Sequence, residues 1–272
     1  MKQIIGILSL IRPLNMLIVF AAVLIGGGLC GHINNDALIS AICAMLILAG
    51  GNSINDYFDA NADAIAHPGR PIPSGKISRK AVPIIAVILF CMGIVPAIRI
   101  STIHIIVATG AVLMLITYSM RLSSLPILGN ISIAALSGIA VIFGALSNAI
   151  CPKSIWAAII ATALHLPREI FKDIQDISGD KAMNRSTLPI ACGESCSYTI
   201  GIAIIIIAIG VIIATYFQYI FGKRYMFLSS IAIVLCALAI FFASKRKPEI
   251  TQTLLKLSMI TGLIALGTEI IQ

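Results

Sequence analysis

Long apolar runs separated by short polar breaks dominate the hydrophobic pattern of this chain. Nine runs are about 18 residues or longer with hardly a charge, the length that crosses a ~30 Å hydrocarbon core as a helix. The runs lie at about 14–31, 37–55, 81–98, 102–119, 127–149, 154–171, 197–219, 226–243 and 251–270. The pattern therefore predicts an all-α membrane protein with about nine transmembrane helices.

Composition also indicates a membrane protein rather than a soluble one. The 272 residues are 59% hydrophobic and 11% charged, with a mean hydropathy of +1.03, whereas a soluble domain carries about 25% charged residues. We predict a single domain over residues 1–272, built as one bundle around a central apolar cavity, and no cleaved secretory signal. The seven cysteines are scattered without a CxxC or Cys/His cluster, so we expect neither a disulfide framework nor a thiolate metal site.

The distribution of lysine and arginine predicts the orientation of the bundle. With the N-terminus in the cytoplasm, 15 of the 19 basic residues fall on the cytoplasmic side, in agreement with the positive-inside rule. Nine spans then place the C-terminus outside. This bias explains the net charge of +8, and because the chain lacks the aromatic and basic pattern of a nucleic-acid-binding module, we expect no nucleic acid partner.

Two connections are much longer than the others, and both are expected in the cytoplasm. They extend over about 56–80 and 172–196, and we expect them to cap an active site, because long connections in a compact fold are usually functional or disordered. Each begins with aspartates in the pattern D-x-x-D-x-x-x-D. These are Asp56, Asp59 and Asp63 in the first and Asp173, Asp176 and Asp180 in the second.

Six carboxylates at the ends of apolar helices need a partner that neutralises them. On a helix, Asn55, Asp59 and Asp63 share one face, and Asp176 and Asp180 repeat the same spacing. Stacked like charges destabilise a helix. Oxygen ligands without histidine or cysteine indicate a hard cation, and Mg²⁺ is usual where substrate phosphates complete the coordination.

Cations beside both aspartate stretches indicate a diphosphate. Arg70 and Arg185 each follow one stretch in a proline-bearing segment, and Lys172 and Lys181 lie within a few residues of the carboxylates. Arg121 occupies the short cytoplasmic loop between spans 4 and 5. Arginine binds phosphate oxygens in a bidentate fork and lysine binds them as a point charge. A site of this kind at the mouth of an apolar bundle suggests a lipid diphosphate whose tail lies between the helices.

The same segments resemble a known family. Asn55 to Asp63, followed by the run from Arg70 to Gly75 (Arg-Pro-Ile-Pro-Ser-Gly), resembles the first signature of the UbiA-type intramembrane prenyltransferases, and Asp173 to Asp180 resembles their second. The nine-span layout is also similar, so the resemblance covers nearly the whole chain.

Two shorter segments extend the resemblance. Arg12-Pro13 with Asn15 is similar to the family's entry to its first helix. Tyr118-Ser119 with Arg121 is similar to its segment between helices 4 and 5, although many members carry lysine where Arg121 stands.

The resemblance implies Mg²⁺-dependent transfer of an isoprenyl group from an allylic diphosphate to an acceptor. An allylic carbocation would be shielded from water by the apolar bundle, and a carboxylate would take the proton lost by the acceptor. The implied metal ligands are Asn55, Asp59, Asp63, Asp173, Asp176 and Asp180, of which Asp59, Asp63, Asp176 and Asp180 are the implied catalytic residues. The implied diphosphate ligands are Arg70, Lys172, Arg185, Tyr118, Ser119 and Arg121.

The acceptor divides this family. The run from Leu166 to Asp176 most resembles the archaeal ether-lipid branch, in which geranylgeranyl diphosphate alkylates a hydroxyl of geranylgeranylglyceryl phosphate. Asn15, Arg168 and Lys181 are then the implied acceptor-binding residues. The run that begins at Arg70 also resembles chlorophyll synthases, so an aromatic quinone precursor and a tetrapyrrole stay open as acceptors.

A lipid or metabolite transporter is the alternative from a different functional class. A secondary transporter should show spans interrupted by glycine or proline, with polar groups near the middle of the bilayer. In this sequence the acidic groups collect at the cytoplasmic ends of the spans. An enzyme is therefore favoured.

Overall fold

The structure is a computed structural model that describes residues 2–271, so Met1 and Gln272 of the predicted domain and the side chain of Lys2 lie outside its description. All regular secondary structure in the described part is helical, and it contains no strand. The helices are α1 Lys2–Ile11, α2 Pro13–Leu29, α3 Asn35–Ala66, α4 Val82–Ile94, α5 Thr102–Met120, α6 Leu128–Ala145, α7 Pro152–Ala182, α8 Leu188–Ala191, α9 Glu194–Phe217, α10 Lys223–Ser244 and α11 Pro248–Gly267.

The prediction of an all-α bundle with about nine long helices is confirmed. Eight helical segments within residues 2–271 are long and apolar enough to cross a membrane, and α7 is the ninth long helix. Polar side chains in the middle of α7, at His165, Arg168, Glu169 and Lys172, explain why its composition is less apolar than that of the others.

The N-terminal helix α1 differs from the prediction, which began the first span at residue 14. Its residue Leu10 is fully buried and packs with Ile77 and Val82, whereas Ile4 and Leu8 are exposed. This helix thus has one side on the protein and an apolar side facing outward, as amphipathic helices at a membrane interface do.

The predicted bounds of the two long connections, 56–80 and 172–196, are wrong. Helix α3 continues to Ala66 and α7 continues to Ala182, so each aspartate stretch lies on the last turns of a long helix rather than in a loop. The apolar run alone marks only the part of each helix that lies in lipid, and the chain keeps its helical hydrogen bonds beyond it. The connections that remain are 67–78 and the segment around α8.

Close packing brings the helix backbones together. Helices α2 and α6 cross at Gly26 and Gly144, where an added Cβ would overlap the carbonyl groups of Val141 and Val23. Only glycine permits this approach, which is a common device between membrane helices.

The end of the bundle opposite the aspartates is joined by a disulfide. Cys30, after α2, is bonded to Cys151, before α7, with a Cα–Cα distance of 5.5 Å. The expectation of no disulfide is therefore wrong, because the two cysteines are 121 residues apart and form no local motif. An ion pair of 2.8 Å between Lys153 and the buried Glu269 lies at the same end.

Candidate active site

The two aspartate stretches come together because α3 and α7 touch at their last turns. A Cβ added to Gly179 of α7 would lie 2.9 Å from the carbonyl oxygen of Ala62 and 3.3 Å from Cβ of Ala66, both on α3. The absence of a side chain at Gly179 therefore allows the carboxylates of the two helices to share one region.

Arg185 joins the two stretches directly. Its guanidinium contacts Asp59 of α3 at 2.5 Å and Asp180 of α7 at 3.3 Å. On α3, Asn55 donates a short hydrogen bond to Asp59, as the predicted shared face requires. Asp59 and Asp180 thus meet at one arginine, and Asn55 supports Asp59 from the same helix.

Two further arginines, Arg70 and Arg12, contact the remaining carboxylates of the aspartate stretch on α3. Arg70 lies 2.8 Å from Asp63 and 3.9 Å from Asp56, and Arg12 lies 2.5 Å from Asp56, which is 2% exposed. Burial acts to lower the pKa of Arg70, but the nearby carboxylates of Asp63 and Asp56 outweigh it and raise the pKa. The carboxylates of Asp59 and Asp180 likewise raise the pKa of Arg185 against the effect of burial. Both arginines therefore stay charged.

Two partners of the α7 carboxylates were not predicted as site residues. His67, just after α3, contacts Asp176 at 2.7 Å, and Asn130 of α6 donates a hydrogen bond of 2.7 Å to Asp173. His67 directly follows the end of α3, which carries the first aspartate stretch, so its position in the sequence was the available signal. These contacts bring α6 and the 67–78 connection into the site.

The donor set suits a divalent metal of the magnesium type. The predicted ligands contribute only carboxylate and amide oxygens, which hard cations prefer. Among residues 2–271, no group of three His, Cys, Asp or Glu side chains is placed so that it could hold one metal ion. The carboxylates therefore form two opposed sets, one on each helix, which is an arrangement that bound phosphate oxygens can complete.

Beneath the aspartates lies the predicted cavity, with a volume of about 240 Å³. Most of its wall is apolar, formed by residues of α2, α3, α5, α6, α7 and α11. Its polar lining includes the predicted residues Asn15, Tyr118, Ser119, Arg168 and Lys172. Asn55 also lines the cavity, so one end of the cavity reaches the aspartate site.

Two predicted binding residues belong neither to this cavity nor to the ion pairs that the described residues form at the aspartate site. Arg121 and Lys181 are exposed at the ends of α5 and α7 and are absent from its wall. Lys256 of α11, which sequence analysis counted only as a topology residue, does line it, as do His165 and Glu169. A lysine within an otherwise apolar run was the signal for Lys256.

Comparison with known proteins agrees with this geometry. The model of the UbiA prenyltransferase family matches residues 15–260. A digeranylgeranylglyceryl phosphate synthase from Methanopyrus kandleri is 33% identical over 262 residues, which cover 95% of this chain and 96% of that protein. A solved structure from work on digeranylgeranylglyceryl phosphate synthase in membranes superposes with a TM-score of 0.76 at 27% identity and covers 100% of this chain and 99% of its own.

A more distant structure shares the fold. A UbiA homologue from Archaeoglobus fulgidus bound to GPP and Mg²⁺ has a TM-score of 0.74 at 17% identity, covering 98% of this chain and 100% of that one. The family match spans most of the chain, and the Methanopyrus protein is similar over nearly its whole length. This chain belongs to the UbiA prenyltransferase family.

Proposed function

We propose that this protein transfers a geranylgeranyl group from geranylgeranyl diphosphate to a hydroxyl of geranylgeranylglyceryl phosphate, in membrane ether-lipid synthesis. The observation that carries the proposal is the position of two aspartate sets and their arginines at the mouth of an apolar cavity that is lined by further cations. The name of the Methanopyrus relative supports the same acceptor.

The donor diphosphate binds at the junction of α3 and α7. Arg70, Arg185 and Lys172 pair with its oxygens, and Tyr118 and Ser119 line the cavity just below. Asn55 and the aspartates of both stretches would hold Mg²⁺, which neutralises charge on the diphosphate when bound. The prenyl chain extends down the apolar wall.

The reaction breaks the bond between C1 of the prenyl chain and the diphosphate oxygen, and the electron pair leaves with the diphosphate. Apolar residues around the cavity exclude water from the allylic cation. The acceptor hydroxyl forms the new C–O bond to C1, and a carboxylate of the aspartate site takes its proton. Asn15 and Arg168, both in the cavity wall, position the acceptor.

The active site faces the cytoplasm and the C-terminus lies outside. The charge bias of the connections supports this orientation. The disulfide gives independent support, because it lies at the opposite end of the bundle and disulfides persist in oxidising surroundings outside the cell.

An acceptor screen tests the proposal. Purified protein with Mg²⁺ and radiolabelled geranylgeranyl diphosphate is offered geranylgeranylglyceryl phosphate, 4-hydroxybenzoate, dihydroxynaphthoate or a chlorophyllide. We expect labelled product only with the glyceryl phosphate, loss of product with EDTA, and recovery with Mg²⁺. Product only with an aromatic acid or the chlorophyllide would overturn the acceptor, and indifference to EDTA would overturn the metal.

A further inference from the structure

Charged residues in the cavity wall are strongly unequal in sign. Among the described residues that line it, four are cations and one is a carboxylate, which leaves an excess of positive charge within an apolar bundle. The cations are Arg12, Arg168, Lys172 and Lys256, and the carboxylate is Glu169. Charges at this depth are costly unless they are paired or used for function.

Internal pairing accounts for three of these cations. Glu169 contacts Arg168 at 2.5 Å and Lys172 at 3.5 Å, and it is only 3% exposed. Arg12 contacts Asp56 at 2.5 Å. The network leaves Lys256 without a carboxylate oxygen within 4.0 Å among residues 2–271.

Lys256 instead shares the cavity wall with other cations. Arg168 of α7 and Arg12 at the start of α2 line the same cavity, so basic side chains from three segments of the chain surround one space. Arg12 and Arg168 each have a carboxylate partner, whereas Lys256 has none within 4.0 Å among residues 2–271, so an anion bound beside Lys256 would supply the missing negative charge.

Lys256 and Arg168 lie deeper in the bundle than the aspartate site, whereas Arg12 reaches that site through its contact with Asp56. Gln252, one helical turn before it, donates a hydrogen bond of 2.6 Å to Gln175, the neighbour of Asp176. At 1.5 Å per residue, Lys256 therefore lies about 6 Å deeper than the aspartates along the helix axis, and Arg168 lies about 12 Å deeper than Asp176. An anion bound at Lys256 and Arg168 would therefore lie below the aspartates, within a small molecule's length of a diphosphate held there.

A glyceryl phosphate matches these two sites. Its phosphate and its free hydroxyl are carried by a three-carbon unit, so a phosphate held in the cavity leaves the hydroxyl close to the donor at the aspartate end. A phosphate monoester also carries nearly two negative charges, which suits more than one cation. An uncharged hydroxyl acceptor would leave Lys256 without an anionic partner.

We propose that Lys256, together with Arg168 and Arg12, forms the binding site for the phosphate of the acceptor lipid and so selects a phosphorylated acceptor. This inference rests on the proposed function and adds a residue and a basis for specificity to it. Arg168 offers a bidentate fork and Lys256 a point charge.

Steady-state kinetics of Lys256→Met test the inference. Rates are measured with geranylgeranylglyceryl phosphate and with geranylgeranylglycerol, which lacks the phosphate, and the KM for geranylgeranyl diphosphate is measured separately. We expect the KM for the phosphorylated acceptor to rise about 10-fold to 100-fold, as for loss of a hydrogen bond to a charged group. The rate with the alcohol and the KM for the donor should stay within about 2-fold, and Lys256→Arg should recover most of the affinity.

Lys80→Met is the matched control, because Lys80 is an exposed lysine in the short 3-10 helix Arg79–Ala81 and is absent from the cavity wall. An unchanged KM for the phosphorylated acceptor in Lys256→Met, or an equal rise with the alcohol or the donor, would overturn the inference. Should Lys256→Met not fold in detergent, Lys256→Gln gives the same comparison. If the unchanged protein uses only an aromatic acceptor, the proposed function itself is wrong, which is a distinct result.

Discussion

The contact between Gly179 and α3 allows one quantitative prediction. In Gly179→Ala the new Cβ would lie 2.9 Å from the Ala62 carbonyl oxygen, whereas ordinary contacts begin near 3.4 Å. The two helix ends must therefore separate by about 0.5 Å, which is the tolerance within which active-site groups are usually held. Since a misplacement of about 1 Å costs up to ~100-fold in rate, we expect kcat to fall about 10-fold.

The free energy of unfolding of Gly179→Ala should change much less than its kcat. Overpacking costs about 1–3 kcal/mol, while replacing glycine by alanine in a helix returns about 1 kcal/mol. The matched control is Gly110→Ala, which makes the same change in α5, where the new Cβ would have no atom within 4 Å apart from its chain neighbours and the nearby backbone of its own helix.

The assay is turnover of radiolabelled geranylgeranyl diphosphate at a series of Mg²⁺ concentrations. We expect Gly179→Ala to need more Mg²⁺ for half-maximal rate, and Gly110→Ala to behave as the unchanged protein. Equal kcat and equal Mg²⁺ dependence in all three proteins would refute the idea that this contact sets the spacing of the carboxylates.

Three further outcomes are expected. Asp59→Ala and Asp176→Ala should each lower turnover more than 100-fold while the melting temperature in detergent stays close to normal, and a near-normal rate would remove that residue from the metal site. Arg70→Ala should raise the KM for the prenyl diphosphate about 10-fold, measured with saturating acceptor, and an unchanged KM would leave Arg70 as a topology residue. Cys30→Ser should lower the free energy of unfolding by about 2–5 kcal/mol with both KM values unchanged, because its bond to Cys151 lies at the far end of the bundle, and a parallel change in KM would contradict that separation.

Much of the fold was accessible from the sequence because its determinants are local. Apolar runs predict the spans, and the i, i+4 spacing predicts that Asn55 and Asp59 share a face, which their hydrogen bond confirms. The resemblance to the UbiA family is confirmed by the match over residues 15–260. The roles of the individual site residues stay predictions.

The remaining features depend on contacts between distant segments. Cys30 and Cys151 are 121 residues apart, so no spacing rule indicates their bond. Lys256 stands in an apolar helix, and only the packing of α11 against α7 places it in the cavity. Lys181, an implied acceptor-binding residue, directly follows Asp180 in sequence. Consecutive residues on a helix point in different directions, however, and Lys181 is exposed.

The polar middle of α7 has a consequence for the biogenesis of the protein. A lysine or arginine near the centre of a membrane helix opposes insertion by about 2.5–3.5 kcal/mol, and a leucine or isoleucine favours it by about 0.3–0.6 kcal/mol. Arg168 lies in the last turn of the predicted run 154–171 and Lys172 directly follows it, so each costs less than at the centre, but the run contains only seven leucine, isoleucine and phenylalanine residues to offset them.

On its own, α7 is therefore a poor substrate for the insertion machinery. Its charges become tolerable when Glu169 pairs with both cations and when neighbouring helices enclose the stripe that carries them. The helix should enter the membrane together with α6 or a later neighbour rather than alone. The charged residues of α7 that line the cavity thus also constrain the order in which the helices of the nascent chain can be inserted into the bilayer.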